Sequence, residues 1–160
     1  MEASAPHKQE DLGIVDGLVQ LSMSVQSVLT RIAASCDISV PQARLLGVLR
    51  DREPTMAELG RLLDLDKSST TGLVDRAERR GLVRREAVPE DGRSFRVLLT
   101  DEGRVLIQTF VGDVTAQIEA LTDHLSETNC HRLALLASGI VHRHAQANDI
   151  DLSVGTSVPR

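Results

Sequence analysis

The stretch from residue 55 to residue 100, TMAELGRLLDLDKSSTTGLVDRAERRGLVRREAVPEDGRSFRVLLT, decides how this 160-residue chain folds. Thr55 with Glu58 three residues later makes a capping box, so a helix is expected to start at Met56. Met56, Leu59, Leu62 and Leu63 give that helix one apolar face. Asp64 and Leu65 interrupt it. Asp66 then offers a side-chain oxygen to the free amides of a second helix, expected over Lys67 to Arg80. Gly81 stops it, because glycine enters the left-handed region without steric cost. Two helices across so short a turn form a helix-turn-helix.

A step of about 100° per residue places Thr70, Leu73, Val74 and Ala77 on one side of the second helix. Ser68, Thr71, Gly72, Asp75 and Arg79 fall on the other. The first side packs; the second is free to meet a partner. Short polar residues near a helix N-terminus suit the base edges of a major groove, and Arg76 and Arg79 at the flank suit phosphates. Leu82 to Glu86 and Ser94 to Leu99 read as strands, with Val83, Phe95, Val97 and Leu99 as apolar members and Pro89 to Gly92 as the turn. From Arg76 through Arg96, seven arginines stand against four carboxylates, a local charge of +3 in a chain of net charge −5. A narrow basic hairpin beside a groove-reading helix can place a guanidinium in the minor groove. Arg93, at the tip, is the candidate, with Asp91 orienting it through a charge-assisted hydrogen bond. The expected fold is mainly α with a small hairpin (α+β): a winged helix-turn-helix domain with further helices before and after it.

The run GLVRREAVPEDGRSFRVLLTDEG, residues 81–103, resembles the wing signature of the MarR family of bacterial transcriptional regulators. The residues that carry the likeness are Gly81-Leu82-Val83, Asp91-Gly92-Arg93, Leu99-Thr100 and Gly103. Helix pattern extends it over about residues 11 to 145. The resemblance implies a homodimeric regulator, most simply a repressor, whose N- and C-terminal helices form a dimerisation bundle. It would bind double-stranded DNA and answer to a small molecule lodged between the dimer helices and the reading domain. The DNA-binding residues expected on this footing are Ser39, Thr55, Lys67, Ser68, Ser69, Thr70, Thr71, Gly72, Asp75, Arg76, Arg84, Arg93 and Arg96. The operator would be palindromic, with half-sites about one helical turn, roughly 10 bp, apart. Two positions depart from the family pattern: Gly72, where relatives often carry a basic or larger residue, and Ala77, where they often carry Leu. Glycine costs a helix about 1 kcal/mol relative to alanine. Either the backbone comes close to DNA at Gly72 or base contacts are thinner there.

On either side of this domain the pattern is helical. Residues 1–10 are expected to be a flexible arm. From Asp11, the spacing of Ile14, Leu18, Leu21, Val25, Val28 and Ile32 is a heptad seam, which fits an ordinary bundle helix as well as a subunit interface. Ser39 and Gln42 form a second capping box, with Pro41 in the first turn of a helix that runs to about Arg50. Thr100 caps a long helix with its own seam, Ile107, Val111, Val114, Ile118, Leu121 and Leu125. Ser126 caps the last helix, striped by Leu133, Leu136, Ala137, Ile140 and Val141. Residues 11–35 and 101–146 are thus the expected dimerisation region, 39–100 the winged domain and 147–160 a disordered tail. Ile14, Leu18, Leu21, Val114, Ile118, Leu121, Leu136 and Ile140 are the expected interface, the two seams meeting across the two-fold axis.

Composition narrows the remaining choices. With two Phe and no Trp or Tyr, the core must be built from Leu, Val, Ile and Ala. The N-terminus lacks the apolar core of a signal peptide and the run Leu133 to Val141 is far short of a bilayer span, so a cytoplasmic protein is expected. Cys36 and Cys130 would then stay reduced. His7, His124, His131, His142 and His144 lack convergent metal-ligand spacing, and Cys36 has no Tyr to activate its thiolate. Phosphate loops, nucleophile elbows and catalytic triads are absent. No enzyme activity, metal or cofactor is expected. Two other readings stand beside the main one: a winged-helix module for protein interaction that has lost DNA binding, and a regulator that senses metal or redox state.

Overall fold

The computed structural model describes residues 11–88 and 91–147, with the backbone alone at residues 91–93. The expectations for the arm, for the tail beyond residue 147, for Pro89 and Glu90, and for the side chains of Asp91 and Arg93 lie outside the described residues. The first helix, α1 (Gly13–Ser35), starts where Asp11 accepts a hydrogen bond from the Gly13 amide at 2.9 Å. Ser39, Thr55, Asp66 and Thr100 then stand in extended backbone and each accepts from the amide three residues ahead. These caps fix the starts of α2 (Val40–Arg50), α3 (Met56–Leu63), α4 (Lys67–Arg79) and α5 (Asp101–Thr122), satisfying donors that no helix can satisfy for itself. Both expected capping boxes form, at Ser39–Gln42 and at Thr55–Glu58. The last helix, α6 (Glu127–Ala147), follows a break in which Ser126 Oγ lies 3.4 Å from the Asn129 amide. It takes in Gln146 and Ala147, so the helix ends later than its apolar stripe indicated.

The corner between α3 and α4 turns on Asp64, whose φ of 54° is left-handed; its amide and that of Leu65 reach back to the carbonyls of Arg61 and Gly60. Past α4, Gly81 at φ 69° reverses the chain into an antiparallel hairpin, β1 (Val83–Val88) and β2 (Asp91–Leu99). Val83 pairs with Leu99 and Ala87 with Phe95, with an irregularity between Ala87 and Val88. The strands run further toward the tip than expected, so Asp91 and Gly92 belong to β2, whereas Leu82 precedes β1. The segment before α3 adds to the outer edge of β2 through the Val97 amide on the Pro54 carbonyl and a bridge between Thr55 and Arg96.

At the centre lies α2, which packs on α1, α3, α4, α5 and β2. Leu45 and Leu46 from α2, Leu59 from α3, Val74 from α4, Val83 and Val97 from the hairpin and Ile107 from α5 are almost wholly excluded from water. Apart from Phe110 the core is aliphatic, as composition required. Of the apolar strand residues, Val83, Val97 and Leu99 are buried, whereas Phe95 is 43 % exposed. The hairpin projects past the core, so the face that is inside at Val97 has already reached solvent at Phe95.

The two long helices meet within the protomer. The C-terminal half of α1 packs on α5 of the same chain: Val28 and Ile32 are buried with Ile107 and Phe110, and Arg31 Nη2 donates to Gln117 Oε1 at 2.8 Å. Val114 and Ile118, assigned to a subunit interface, rest half-buried on this core. The reason is geometric. Closing the winged domain brings the start of α5 beside the end of α1, and the seams meet there within one protomer. Ile14, Leu18, Leu21, Leu121, Leu136 and Ile140 remain exposed.

Candidate nucleic-acid interface

One surface collects the exposed side of α4, the end of α3 and the hairpin. On α4 the buried residues are Thr70, Leu73, Val74 and Ala77, the side assigned to packing by helical stepping. Ser68, Ser69, Lys67, Arg76 and Arg79 are exposed, and Thr71, Gly72 and Asp75 are half-exposed on the same flank. Thr70 is a correction within the list of contact residues. It is 1 % exposed and its hydroxyl donates back to the Asp66 carbonyl at 2.8 Å, so it cannot present itself to a ligand. The remaining hydroxyls are ordered by the start of the helix. Ser68 Oγ and Ser69 Oγ donate to the two oxygens of Asp66 at 2.6 and 2.7 Å, and Thr71 Oγ1 donates to the Lys67 carbonyl at 2.8 Å. Bonds from the Ser68 hydroxyl, then from the amide and hydroxyl of Ser69, hold the Asp66 carboxyl far below the usual carboxylate range. The Thr55 amide and hydroxyl likewise lower Glu58.

What joins the hairpin to α4 is Arg85, a residue absent from the expected contacts. Its Nη2 lies 2.6 Å from Asp75 Oδ1, its Nη1 donates to Glu78 Oε2, and its backbone amide donates to Glu78 Oε1 at 3.1 Å. Asp75 and Glu78 lie three apart and so share one side of the helix, which a single guanidinium can span. That spacing was the available signal: two carboxylates on α4 with an arginine-bearing strand next in the chain. Asp75, expected to face a partner, thus has one oxygen engaged by β1.

The basic residues divide into two groups. Arg80 is held by the carbonyl and the carboxylate of Asp37, at the left-handed corner between α1 and α2, and Arg84 pairs with Glu86 at 2.7 Å. Lys67, Arg76, Arg79 and Arg96 form no ion pair with any described residue, and all four are exposed. Ser39 and Thr55 lie at the starts of α2 and α3, with their hydroxyls engaged in their own capping boxes. Between α3, α4 and the hairpin runs an open cleft of about 1050 Å³, lined by Met56, Ala57 and Phe95 on one side and Lys67, Thr71 and Arg85 on the other.

Among the described residues no group of three His, Cys, Asp or Glu is placed to hold a metal ion, both cysteines are free thiols, and no single helix is long and apolar enough to cross a membrane.

Two helices across a left-handed corner, the second flanked by a basic hairpin, define a winged helix-turn-helix protein. Residues 37–94 match the model of the MarR family. The transcriptional regulator PecS of Dickeya dadantii (strain 3937) is 28 % identical over 144 residues, covering 87 % of this chain and 86 % of that one. In fold, the chain resembles the repressor CouR bound to a 23-mer DNA duplex, with a TM-score of 0.70 at 23 % identity over 81 % of this chain and 92 % of CouR. It also resembles NadR in complex with 4-hydroxyphenylacetate, with a TM-score of 0.64 at 23 % identity over 88 % of this chain and 97 % of NadR. The winged domain thus resembles that of the MarR family, and the curated relatives that the chain matches are helix-turn-helix transcriptional regulators.

Proposed function

We propose that this protein is a ligand-responsive repressor that binds a palindromic operator as a homodimer, each protomer laying α4 in a major groove and its wing over the flanking minor groove. The observation that carries the reading is the exposed set of Lys67, Arg76 and Arg79 on α4 and Arg96 on β2, none of them in an ion pair with a described residue, with the hairpin tied beside the polar face of α4 by Arg85. Exposed cations suit phosphates, which position a protein on a duplex. In this reading Ser39, Thr55 and Arg84 add backbone contacts, Ser68, Ser69, Thr71, Gly72 and Asp75 meet base edges, and Arg93, oriented by Asp91, enters the minor groove. The second copy is called for by α6, in which Ala145 alone is buried and Leu136 and Ile140 stand in water. The exposed apolar residues at the start of α1 point the same way. The 4-hydroxyphenylacetate held by NadR supports an effector for this chain as well. Such a ligand would act by preferring a spacing of the two reading helices that does not fit DNA. The protein would work in the cytoplasm, on the nucleoid when bound.

Gel-shift titration against DNA from upstream of the protein's own gene tests this. Arg93→Ala and Lys67→Ala are expected to weaken binding to all sequences, while Asp75→Ala changes the ranking of half-site variants more than the mean affinity. Equal losses on every variant would remove Asp75 from the base contacts; no shift with wild-type protein would favour a winged-helix interaction module.

A further inference from the structure

The outward hydroxyls of α4 all donate their hydrogen bonds inward. Each hydroxyl owns one proton and two lone pairs. Ser68 and Ser69 spend theirs on Asp66, and Thr71 on the Lys67 carbonyl. Asp75, on the same side, is a carboxylate with Oδ1 held by Arg85 and no proton to offer. The donors of this surface, Lys67 and Arg76, stand around these acceptors on long side chains suited to phosphates.

We propose that the reading face of α4 is an acceptor-only strip, made by Ser68, Ser69, Thr71 and Asp75, that selects the exocyclic amino groups of adenine and cytosine in the major groove. The proposal rests on the DNA-binding reading above and specifies what that site reads. In the major groove adenine N6 and cytosine N4 donate, whereas guanine N7 and O6 and thymine O4 accept. Against the second set the strip presents lone pair to lone pair. Reversing a serine would break an O–H bond to an ionised carboxylate, which is about twice as strong as a neutral one. It would also bare that carboxylate to the negative groove. Gly72, between Thr71 and Asp75, adds no side chain to hold the strip away from the bases.

The test uses the full-length protein and a randomised duplex library, from which the tightest-binding duplex is taken. In that duplex each adenine is replaced by purine nucleoside and each cytosine by 2-pyrimidinone nucleoside, removing the amino group; separately, purines are replaced by their 7-deaza forms, removing N7. Loss of an amino group under α4 is expected to weaken binding about fivefold or more at one or more positions per half-site, the worth of one hydrogen bond. The same replacement outside the half-sites, and 7-deaza substitution beneath α4, should each cost less than about twofold. A dominant 7-deaza effect would overturn the strip while leaving DNA binding intact. Failure to enrich any duplex would instead remove the DNA-binding reading itself. Asp66→Asn supplies a second arm. The asparagine still caps α4, but its amide donates to one serine and turns that proton outward, so discrimination at one position should relax. Unchanged discrimination in a folded Asp66→Asn protein would contradict the proposal, and the base-analogue series on the wild type decides if that variant does not fold.

Discussion

A methyl group placed on Gly72 would meet nothing closer than the end of the Arg76 guanidinium, 3.4 Å away. The protein's own packing therefore gives no reason for glycine at the centre of α4, where it costs about 1 kcal/mol relative to alanine. Gly72→Ala should raise the urea midpoint by the equivalent of up to about 1 kcal/mol and lower DNA affinity, a pair of opposite effects that only a close approach of backbone to DNA explains. Gly103 presents the contrary case. Its Cβ would fall 2.0 Å from the Leu82 carbonyl oxygen, because the first turn of α5 presses against the chain leaving α4, where the Thr100 amide and hydroxyl hold the Leu82 and Gly81 carbonyls. Gly103→Ala should destabilise by about 1–3 kcal/mol in chemical denaturation, as overpacking does, without touching the proposed contacts. Arg85 is the third residue whose loss separates fold from function. Its partners are partly exposed, so Arg85→Ala is expected to cost only about 1 kcal/mol of stability. Its effect on DNA affinity should be larger, since the wing is no longer tied to α4; Arg85→Lys, keeping one bond of the two, should fall between.

The elements are set by their caps, and the caps carry a pH dependence. In Glu58 and Asp66 the folded state holds the carboxyl below its ordinary value, through bonds from Thr55 and from Ser68 and Ser69. A depressed folded pKa contributes stability that is complete above the unfolded value, near pH 4, and is lost as pH falls through the folded value. Urea midpoints measured downward from about pH 6 should drop more steeply in the wild type than in Glu58→Gln/Asp66→Asn, whose neutral caps do not titrate. These same caps explain why so much of the architecture could be read in advance. Ser39, Thr55, Asp66, Thr100 and Gly81 are local signals, complete within four residues, and each stands where the helix or turn it announced begins. The packing side of α4 followed from periodicity alone. Contacts between elements were not legible in that way. Arg85 on Asp75 and Glu78, and Arg80 on Asp37, join residues 7 to 43 positions apart. The exposure of Phe95 was not legible either, because alternation along a strand says which face a residue is on, not how far the core extends beneath it. Thr70 stood among the contact residues for its hydroxyl, although stepping put it on the buried side. A hydroxyl that back-bonds to its own helix is as compatible with burial as an alanine.

For the molecule as a whole, the unfinished surface is the apolar one. Leu136 and Ile140 on α6 are 67 % and 54 % exposed within a single protomer, so replacing both with glutamate leaves the described core untouched. Sedimentation is expected to show a dimer for the wild type and a folded monomer for Leu136→Glu/Ile140→Glu, and a dimeric variant would place the interface elsewhere. The seams at the two ends of the chain could not by themselves say whether they met within a protomer or across an axis; the structure divides them, burying Val28 and Ile32 against α5 and leaving Ile14, Leu18 and Leu21 outside. Charge follows a similar division, with an acidic total and a basic reading edge, and it is the edge that decides binding because screening confines each charge to about 8–10 Å. The most direct test of the central claim, that two such edges grip one duplex through phosphates, is a salt titration of wild-type binding to the duplex upstream of its own gene. Two protomers per duplex are predicted, with affinity falling roughly a thousandfold between about 50 and 200 mM salt. Affinity independent of salt, or saturation at one protomer, would contradict the account.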